Sequence, residues 1–332
     1  MPARLALPSW KNTADDAQLT RATIDEWASS SALAGLVRAS GTVPPALRGG
    51  ALLEWLDSFA ASHWDFRRGA ERNLAARVSL PAELERLVGE AAPVLGLAGP
   101  YALQQRSYDT ILMTGGMVRA GIVKPRFARE LLSAGVTARN VVFLGAFRPF
   151  AGDELPLAPL LGVRGDNEVD SMVCGMELAF GPLGSPVVEG AESGSGNAAW
   201  RVWTWHLPDV TLRVIAAPSS EPLLRRANTA DTYRYWAAGI REPTGASVLV
   251  VTTPIYVPYQ GAGAVEMLGL EHGLAVETVG TSDTASDLGE YSQRFLAQNH
   301  LQELRAAIGA MRRLRVRLSE RASTEGVSSG ER

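Results

Sequence analysis

The sequence predicts an α/β protein: a Rossmann-like three-layer sandwich on a mostly parallel sheet, preceded by a helical region. Three observations predict it. From about residue 101, short apolar runs of strand length alternate with helix-length amphipathic segments. Several of those runs end in glycine or threonine, as strands that deliver the chain to a turn over a ligand crevice do. The first hundred residues carry helical spacing and no clear β-run. The chain therefore divides into a helical cap or docking region (1–100), an α/β domain (101–312) and a polar tail (313–332) that reads as disordered.

In the first region, "QLTRATIDEWASSSALAGLVRAS" sets Ile24, Trp27, Leu33 and Leu36 at helical spacing. "VPPALRGGALLEWLDSFAASHW" places Leu52, Leu53, Leu56 and Phe59 on one side. "LPAELERLVGEAAPVLGL" opens with Pro81 at a first-turn position. "HWDFRRGAERN" (63–73) crowds Trp64, Asp65, Arg67, Arg68, Glu71 and Arg72 together. It reads as an ion-pair-rich face docked on the sheet domain, with a substrate lid as the alternative.

In the second region, "YDTILMTGG" is a strand ending in two glycines, and "KPRFARELLSAG" is a helix closed by Gly135. "NVVFLGAFRPF" is a second buried strand. "DNEVDSMVCGMELAFG" is a helix capped by Asp166 or Asn167. "GPLGSPVVEGAESGSGNAA" reads as a loop, and "WRVWTWHLPDVTLRVIAAPSS" as a hairpin in which Trp200, Trp203 and Trp205 pack. A helix opens at "NTADTYRYW", followed by the strand "ASVLVVTTPIY", a helix from about 261 to 268 and a strand at "LAVETVG". "DLGEYSQRFLAQNHLQELRAAIGAMRRLRVRL" is a long amphipathic helix.

The 332 residues carry a formal charge of -3, with 46% hydrophobic and 20% charged residues. That supplies a large core, and it lacks the basic balance of a nucleic-acid binder. The single cysteine, Cys174, excludes an internal disulfide and a cysteine-rich metal site. The four histidines are dispersed, so no metal is expected. Neither a signal peptide nor an apolar stretch of about 20 residues is visible. A soluble cytoplasmic protein without a membrane partner is the expectation.

Ligands of parallel sheets sit beyond the carboxyl ends of the strands. Four such ends supply candidates. They are Thr114, Gly115, Gly116 and Arg119; Gly145 and Arg148; Glu221, Arg225, Arg226, Asn228, Thr229 and Asp231; and Thr252, Thr253, Tyr256, Tyr259 and Gln260. Glycines admit close approach of backbone N–H groups, and arginines add bidentate contacts to anions. "TGGMVRAG" is neither the dinucleotide fingerprint nor a Walker loop, which argues against an oxidoreductase. Asn228 and Thr229 serve equally as an ordinary helix cap, and Asp231 in the first turn competes with an anion. Glu168 is either a cap or a general base facing the cleft.

Taken together, "ILMTGG", "VVFLGAF", "DNEVDSM", "SSEPLLRRANTADTYRYW" and "VLVVTTPIYVPYQGA" resemble the SanA/YdcF/ElyC-like family over roughly 109–280. Glu168, Glu221, Asn228, Thr229 and Asp231 match its pattern. Tyr256 stands at its usual histidine and Gln260 at its usual arginine. The resemblance implies a Rossmann-like sheet, a link to envelope metabolism and S-adenosylmethionine as cofactor. The expected function is a hydrolase or transferase for a nucleotide-like small molecule, with Glu168, Glu221 and Tyr256 as catalytic residues. The alternatives are a non-catalytic ligand sensor, whose C-terminal helix would serve as a dimer surface, and an envelope-linked phosphohydrolase.

Overall fold

The computed structural model describes residues 3–67, 77–192, 196–240 and 246–328. Four helices lead: α1 (Asp16–Ala28), α2 (Ser31–Ala39), α3 (Gly49–His63) and α4 (Ala82–Val94). The α/β part follows as β1 (Ser107–Thr114), α5 (Val118–Ser133), β2 (Thr137–Gly145), α6 (Glu154–Leu160) and α7 (Glu168–Phe180). Then come β3 (Val187–Ala191), β4 (Trp200–His206), β5 (Thr211–Ala216), α8 (Thr229–Tyr235), β6 (Ser247–Thr252), α9 (Val257–Ala264) and β7 (Ala275–Gly280). The short α10 (Asp283–Ser286) and the long α11 (Ala297–Ser328) close the chain.

The seven strands form one sheet in the order β3-β4-β5-β2-β1-β6-β7. The five from β5 to β7 are parallel, and β4 and β3 extend the sheet antiparallel through the predicted hairpin. The chain steps outward from β1 through β2 to β5, then returns to lay β6 on the other side of β1. At the neighbouring strands β1 and β6 the connections run in opposite directions, β1 through α5 to β2 and β6 through α9 to β7, so their carboxyl ends form the topological switch point at which such sheets bind ligands.

Alternation along the strands sends side chains to two separate apolar clusters. Ile111, Met113, Val141, Phe143, Leu249 and Val251 meet Ala128 and Leu131 of α5 and Val169, Met172 and Met176 of α7. Leu112, Val142, Leu144, Val248 and Val250 meet the leading helices together with α9 and α11. The helices α5 and α7 cross backbone to backbone. A Cβ on Gly175 would stand 1.8 Å from the Gly121 carbonyl oxygen, and one on Gly121 would stand 2.3 Å from Ser171 Oγ. That contact fixes α7, and so Glu168 at its start, against the turn after β1.

The leading helices share their core with the sheet rather than forming a separate one. Trp10 bridges β7 with bonds in both directions to Val276 (2.9 and 2.6 Å). Trp27 Nε1 donates to Leu95 O at 3.1 Å. The described part of the 63–73 segment docks on α11: Gln302 Oε1 accepts from the Phe66 and Arg67 N–H groups (2.7 and 3.0 Å), and Arg67 pairs with Glu303. Arg68, Glu71 and Arg72 lie outside the described residues.

Two expectations change. "VVEGA", read as part of a loop, is the edge strand β3. All five of its residues are exposed, so no burial pattern marks it, and only pairing with β4 makes it a strand. The expected disordered tail from 313 is helical as far as Ser328. Leu314 and Leu318 extend the buried stripe of Ile308 and Met311, and Arg315 clasps Asp25 of α1 at 2.7 and 3.0 Å.

Candidate active site at the carboxyl edge of the sheet

The turn after β1 is built around charges that the protein supplies itself. Gly115 and Gly116 pass beneath Glu168, whose Oε1 accepts from the Gly116 N–H at 2.6 Å. A Cβ on Gly115 would lie 2.2 Å from that oxygen, so a side chain there would push the Glu168 carboxyl off the Gly116 N–H. The next free amide, Val118 N–H at the start of α5, donates to Glu154 Oε1 at 2.9 Å. Helix starts attract anions, and two internal carboxylates take up that tendency here.

Glu154 is fully buried, at 0% exposure, and all its lone pairs are used. Arg148 grips it bidentately (2.7 and 2.8 Å), and Ala151 N–H adds a bond at 3.2 Å. The same guanidinium donates to Gly116 O at 3.0 Å, tying β2's end to the glycine turn. Glu168 receives less, since Arg148 Nε stays 3.5 Å from its Oε2. The two carboxyls accordingly diverge. Burial pushes Glu168 above the usual carboxylate range; Arg148, the Gly116 N–H, Lys124 and Arg226 only partly offset this. Burial also pushes on Glu154, but the bonds and charge of Arg148 outweigh it and hold Glu154 below its ordinary value.

Beneath the turn, Lys124 of α5 is 1% exposed. Its ammonium donates to Thr114 O, to Thr114 Oγ1 (3.0 Å) and to Gly115 O (3.0 Å). Thr114 Oγ1 passes its hydrogen to Gln260 Oε1 at 2.8 Å, and Thr252 Oγ1 donates to the same oxygen. One network therefore joins Lys124, Thr114, Gln260 and Thr252 from β1, α5, β6 and α9.

A second cluster lies at the start of α8. Asn228 and Asp231 form a reciprocal capping box, with bonds of 2.9 and 3.1 Å. Asp231 also accepts from Ser220 Oγ at 2.6 Å and pairs with Arg225, which reaches Glu221 at 2.7 Å. Burial raises the Asp231 carboxyl, but Arg225, Ser220 and the Asn228 N–H carry it down to about 2. Its contribution to stability is thus present above pH 3.8, the unfolded value, and is lost as pH falls through about 2. Asp231→Asn keeps the cap and loses the ion pair. By chemical denaturation we expect it to cost about 1–2 kcal/mol at pH 7, with a gap that narrows below pH 4; a constant gap would contradict the assignment.

The structure thus joins Thr114, Gly115, Gly116, Arg148, Glu168, Thr252 and Gln260, and Arg226 acts on Glu168 through its charge. Arg225, Asn228 and Asp231 turn to one another, with Thr229 as the first residue of their helix. Arg119 is held on the outside of α5 by Tyr291 O (2.7 Å). Gly145 lies under Met172, where a Cβ would meet Sδ at 2.5 Å. Glu221 is exposed. Thr253 precedes the turn that leads into α9. Tyr259 packs at the margin of the helical core, and Tyr256 is buried within it, edge-on to Phe295 at 6.3 Å. A groove of about 470 Å³ lies elsewhere, over β3–β5 beside Trp200, Arg213 and Tyr235.

The Rv3785 N-terminal domain model matches residues 11–96, the helical region ahead of β1. Over 336 residues the chain is 30% identical to the uncharacterized proteins Rv3785 of Mycobacterium tuberculosis (strain ATCC 25618 / H37Rv) and Mb3814 of Mycobacterium bovis, covering 92% of each sequence in both cases. The chain belongs to the Rv3785 family. No solved structure matches it.

The resemblance to the SanA/YdcF/ElyC-like family is corrected by these matches, which contain only Rv3785-family proteins. The motifs behind it have a general physical origin. "DNEVD" and "NTAD" are both capping boxes, and glycines at strand ends accompany many parallel sheets. Envelope metabolism and S-adenosylmethionine rested on that resemblance alone.

Two site residues of the Rv3785-family chain escaped the sequence reading, Lys124 and Glu154. Lys124 is flanked in sequence by the buried Val123 and Pro125, an unusual place for a charge and the one signal available. Among the described residues, no group of three or more His, Cys, Asp or Glu is placed to hold a metal, and no helix is long and apolar enough to cross a membrane.

Proposed function

We propose that this chain is an enzyme acting on a small polar molecule, nucleotide-like in size, by hydrolysis or group transfer. The molecule binds on a Rossmann-like sheet at the carboxyl ends of β1 and β6, where the connections from the two strands diverge. One observation carries the reading: two neighbouring buried carboxyls at that edge are driven apart in proton affinity, Glu154 downward and Glu168 upward. Such a divided pair is how a site obtains one fixed charge and one group that exchanges protons. Glu154 anchors Arg148, and Glu168 is the proton carrier. It takes the proton from an attacking hydroxyl or water as the new bond forms, or gives one to the departing oxygen.

Two amides of the β1–α5 turn, those of Gly116 and Val118, already serve carboxylates. A substrate therefore meets Glu168 through a hydroxyl or amine, and not through a phosphate seated on that turn. The non-catalytic sensor remains the second reading, favoured by the bonding of Lys124 and Arg148 to groups of the protein itself.

A thermal-shift screen with nucleotides, S-adenosyl compounds and sugar phosphates tests both. A ligand at a hundred times its Kd adds about 2.7 kcal/mol. Glu168→Gln keeps the acceptor for Gly116 N–H, so it should fold and bind the hit while turnover falls roughly 10²–10⁴-fold. Turnover at the wild-type rate would remove Glu168 from the chemistry, and binding without any product would favour the sensor.

A further inference from the structure

We infer that Gln260 is the ligand-binding donor of this crevice, and that Lys124 fixes which way its amide faces. The inference rests on the reading of the crevice as the binding site, and it assigns the polarity of what binds there.

An ammonium donates and never accepts. Lys124 Nζ donates to Thr114 Oγ1 at 3.0 Å, so the one hydrogen of that hydroxyl must leave in another direction. Its nearest acceptor is Gln260 Oε1 at 2.8 Å, and Thr252 Oγ1 lies at 3.2 Å. Thr252 is 0% exposed and donates to the same amide oxygen. With Oε1 inward, both buried hydroxyl hydrogens have an acceptor. With the amide reversed, Nε2 would donate to hydroxyls instead. Thr114 could then hand its hydrogen to Thr252, but the hydrogen of Thr252 would have no acceptor among the described residues. A buried donor without a partner is costly. The orientation of the amide therefore follows from a lysine that does not touch it.

The consequence is on the other side of the group. Gln260 is half-buried, its Nε2 makes no hydrogen bond among the described residues, and the atom is not buried. Two N–H donors thus face outward beside the carboxyl ends of β1 and β6. Across the glycine turn the Gly116 and Val118 amides are already taken by Glu168 and Glu154. The crevice is therefore polarised: a free donor stands at α9 and a carboxyl at α7. A ligand fits when an acceptor oxygen, carboxylate or phosphoryl, lies on Gln260 and a hydroxyl or amine faces Glu168. Lys124 is the positioning residue, acting through Thr114.

The test has two arms on the full chain. The first needs no ligand. In ¹⁵N spectra of deuterated protein, the side-chain amide signal that disappears in Gln260→Glu belongs to Gln260. Its hydrogens should exchange with water as fast as those of an exposed glutamine. Exchange slowed tenfold or more would mean that the NH2 group faces the hydroxyls, and would overturn the inference whatever binds.

The second arm titrates AMP, glutamate, adenosine and inorganic phosphate by thermal shift. Gln260→Glu keeps an acceptor for both threonines and puts a charged acceptor oxygen where the outward donors stood. AMP, glutamate or both should stabilise the wild type, and that affinity should fall at least tenfold in the variant while adenosine binding is unchanged. AMP alone would identify a phosphoryl group, and glutamate alone a carboxylate. Equal affinity of the responding probe for both proteins would overturn the inference. A wild type that none of the probes, nor the wider screen, stabilises would sink the proposed function, and the exchange arm would then decide this inference by itself.

Discussion

Glu154→Ala is expected to cost about 3–5 kcal/mol, the effect of stripping one partner from a buried ion pair. For a chain of 332 residues that corresponds to a fall in Tm of roughly 4–7 °C. The reason is the completeness of the bonding. Four donors converge on this carboxylate, two of them from Arg148. Alanine leaves the Val118 N–H and the guanidinium without it, in a place water reaches poorly. Glu154→Gln keeps one acceptor and should fall between the two. The pH dependence has a definite sign. The folded carboxyl is held below 4.5, so its contribution is present above that value and is lost as pH falls through the lowered one. Wild type and variant should therefore converge in acid. A second readout separates this from general damage. Arg148 Nε already stands 3.5 Å from Glu168. Released from Glu154, it should turn to Glu168 and lower the pH at which that residue ionises. A loss below 1 kcal/mol by urea denaturation would show that the pair is better hydrated than the fold implies.

Gly175→Ala is the second large effect. The added methyl would stand 1.8 Å from Gly121 O and 2.8 Å from its carbonyl carbon, so backbone must move. Overpacking costs about 1–3 kcal/mol and sometimes more, and here neither neighbour is a flexible side chain. The displacement also has a direction. It separates α7 from α5, and Glu168 heads α7 while Gly116 and Val118 lead into α5. Under the proposed function, turnover should suffer more than stability does, while Gln260 on α9 keeps its place. By contrast, Gly181→Ala adds a methyl with nothing within 4 Å, and its positive φ of 84° alone sets its cost. A Gly175→Ala protein as stable as wild type would require the helices to cross differently.

Much of the site was legible because it is made of local devices. "TGG" ends a strand, and Asn167 with Asp170 and Asn228 with Asp231 box their helices. Periodicity and capping are properties of neighbours in sequence, so Thr114 and Gln260 could be placed after strands, and Glu168 at a helix start, without a structure. The same locality misled the comparison with SanA/YdcF/ElyC-like proteins, since such devices recur in unrelated sheets. Arg225 shows the limit from the other side. In sequence it was a candidate anion contact, but in the fold it is committed to Asp231 and Glu221.

Spacing along the chain already set the alternation of strands and helices, the helical leading region and the residues at each strand end. Those follow from spacing, and spacing is written along the chain. Only the tertiary structure decided which charges are internal. Lys124 and Glu154 look like surface residues in a helix and a loop until Thr114, Gly115, Val118 and Arg148 close over them. The energy of a buried charge depends on partners distant in sequence, 36 residues away for Glu154 and Val118. No local pattern encodes such a partner, so the polarity of the crevice became readable only once the chain had folded around it.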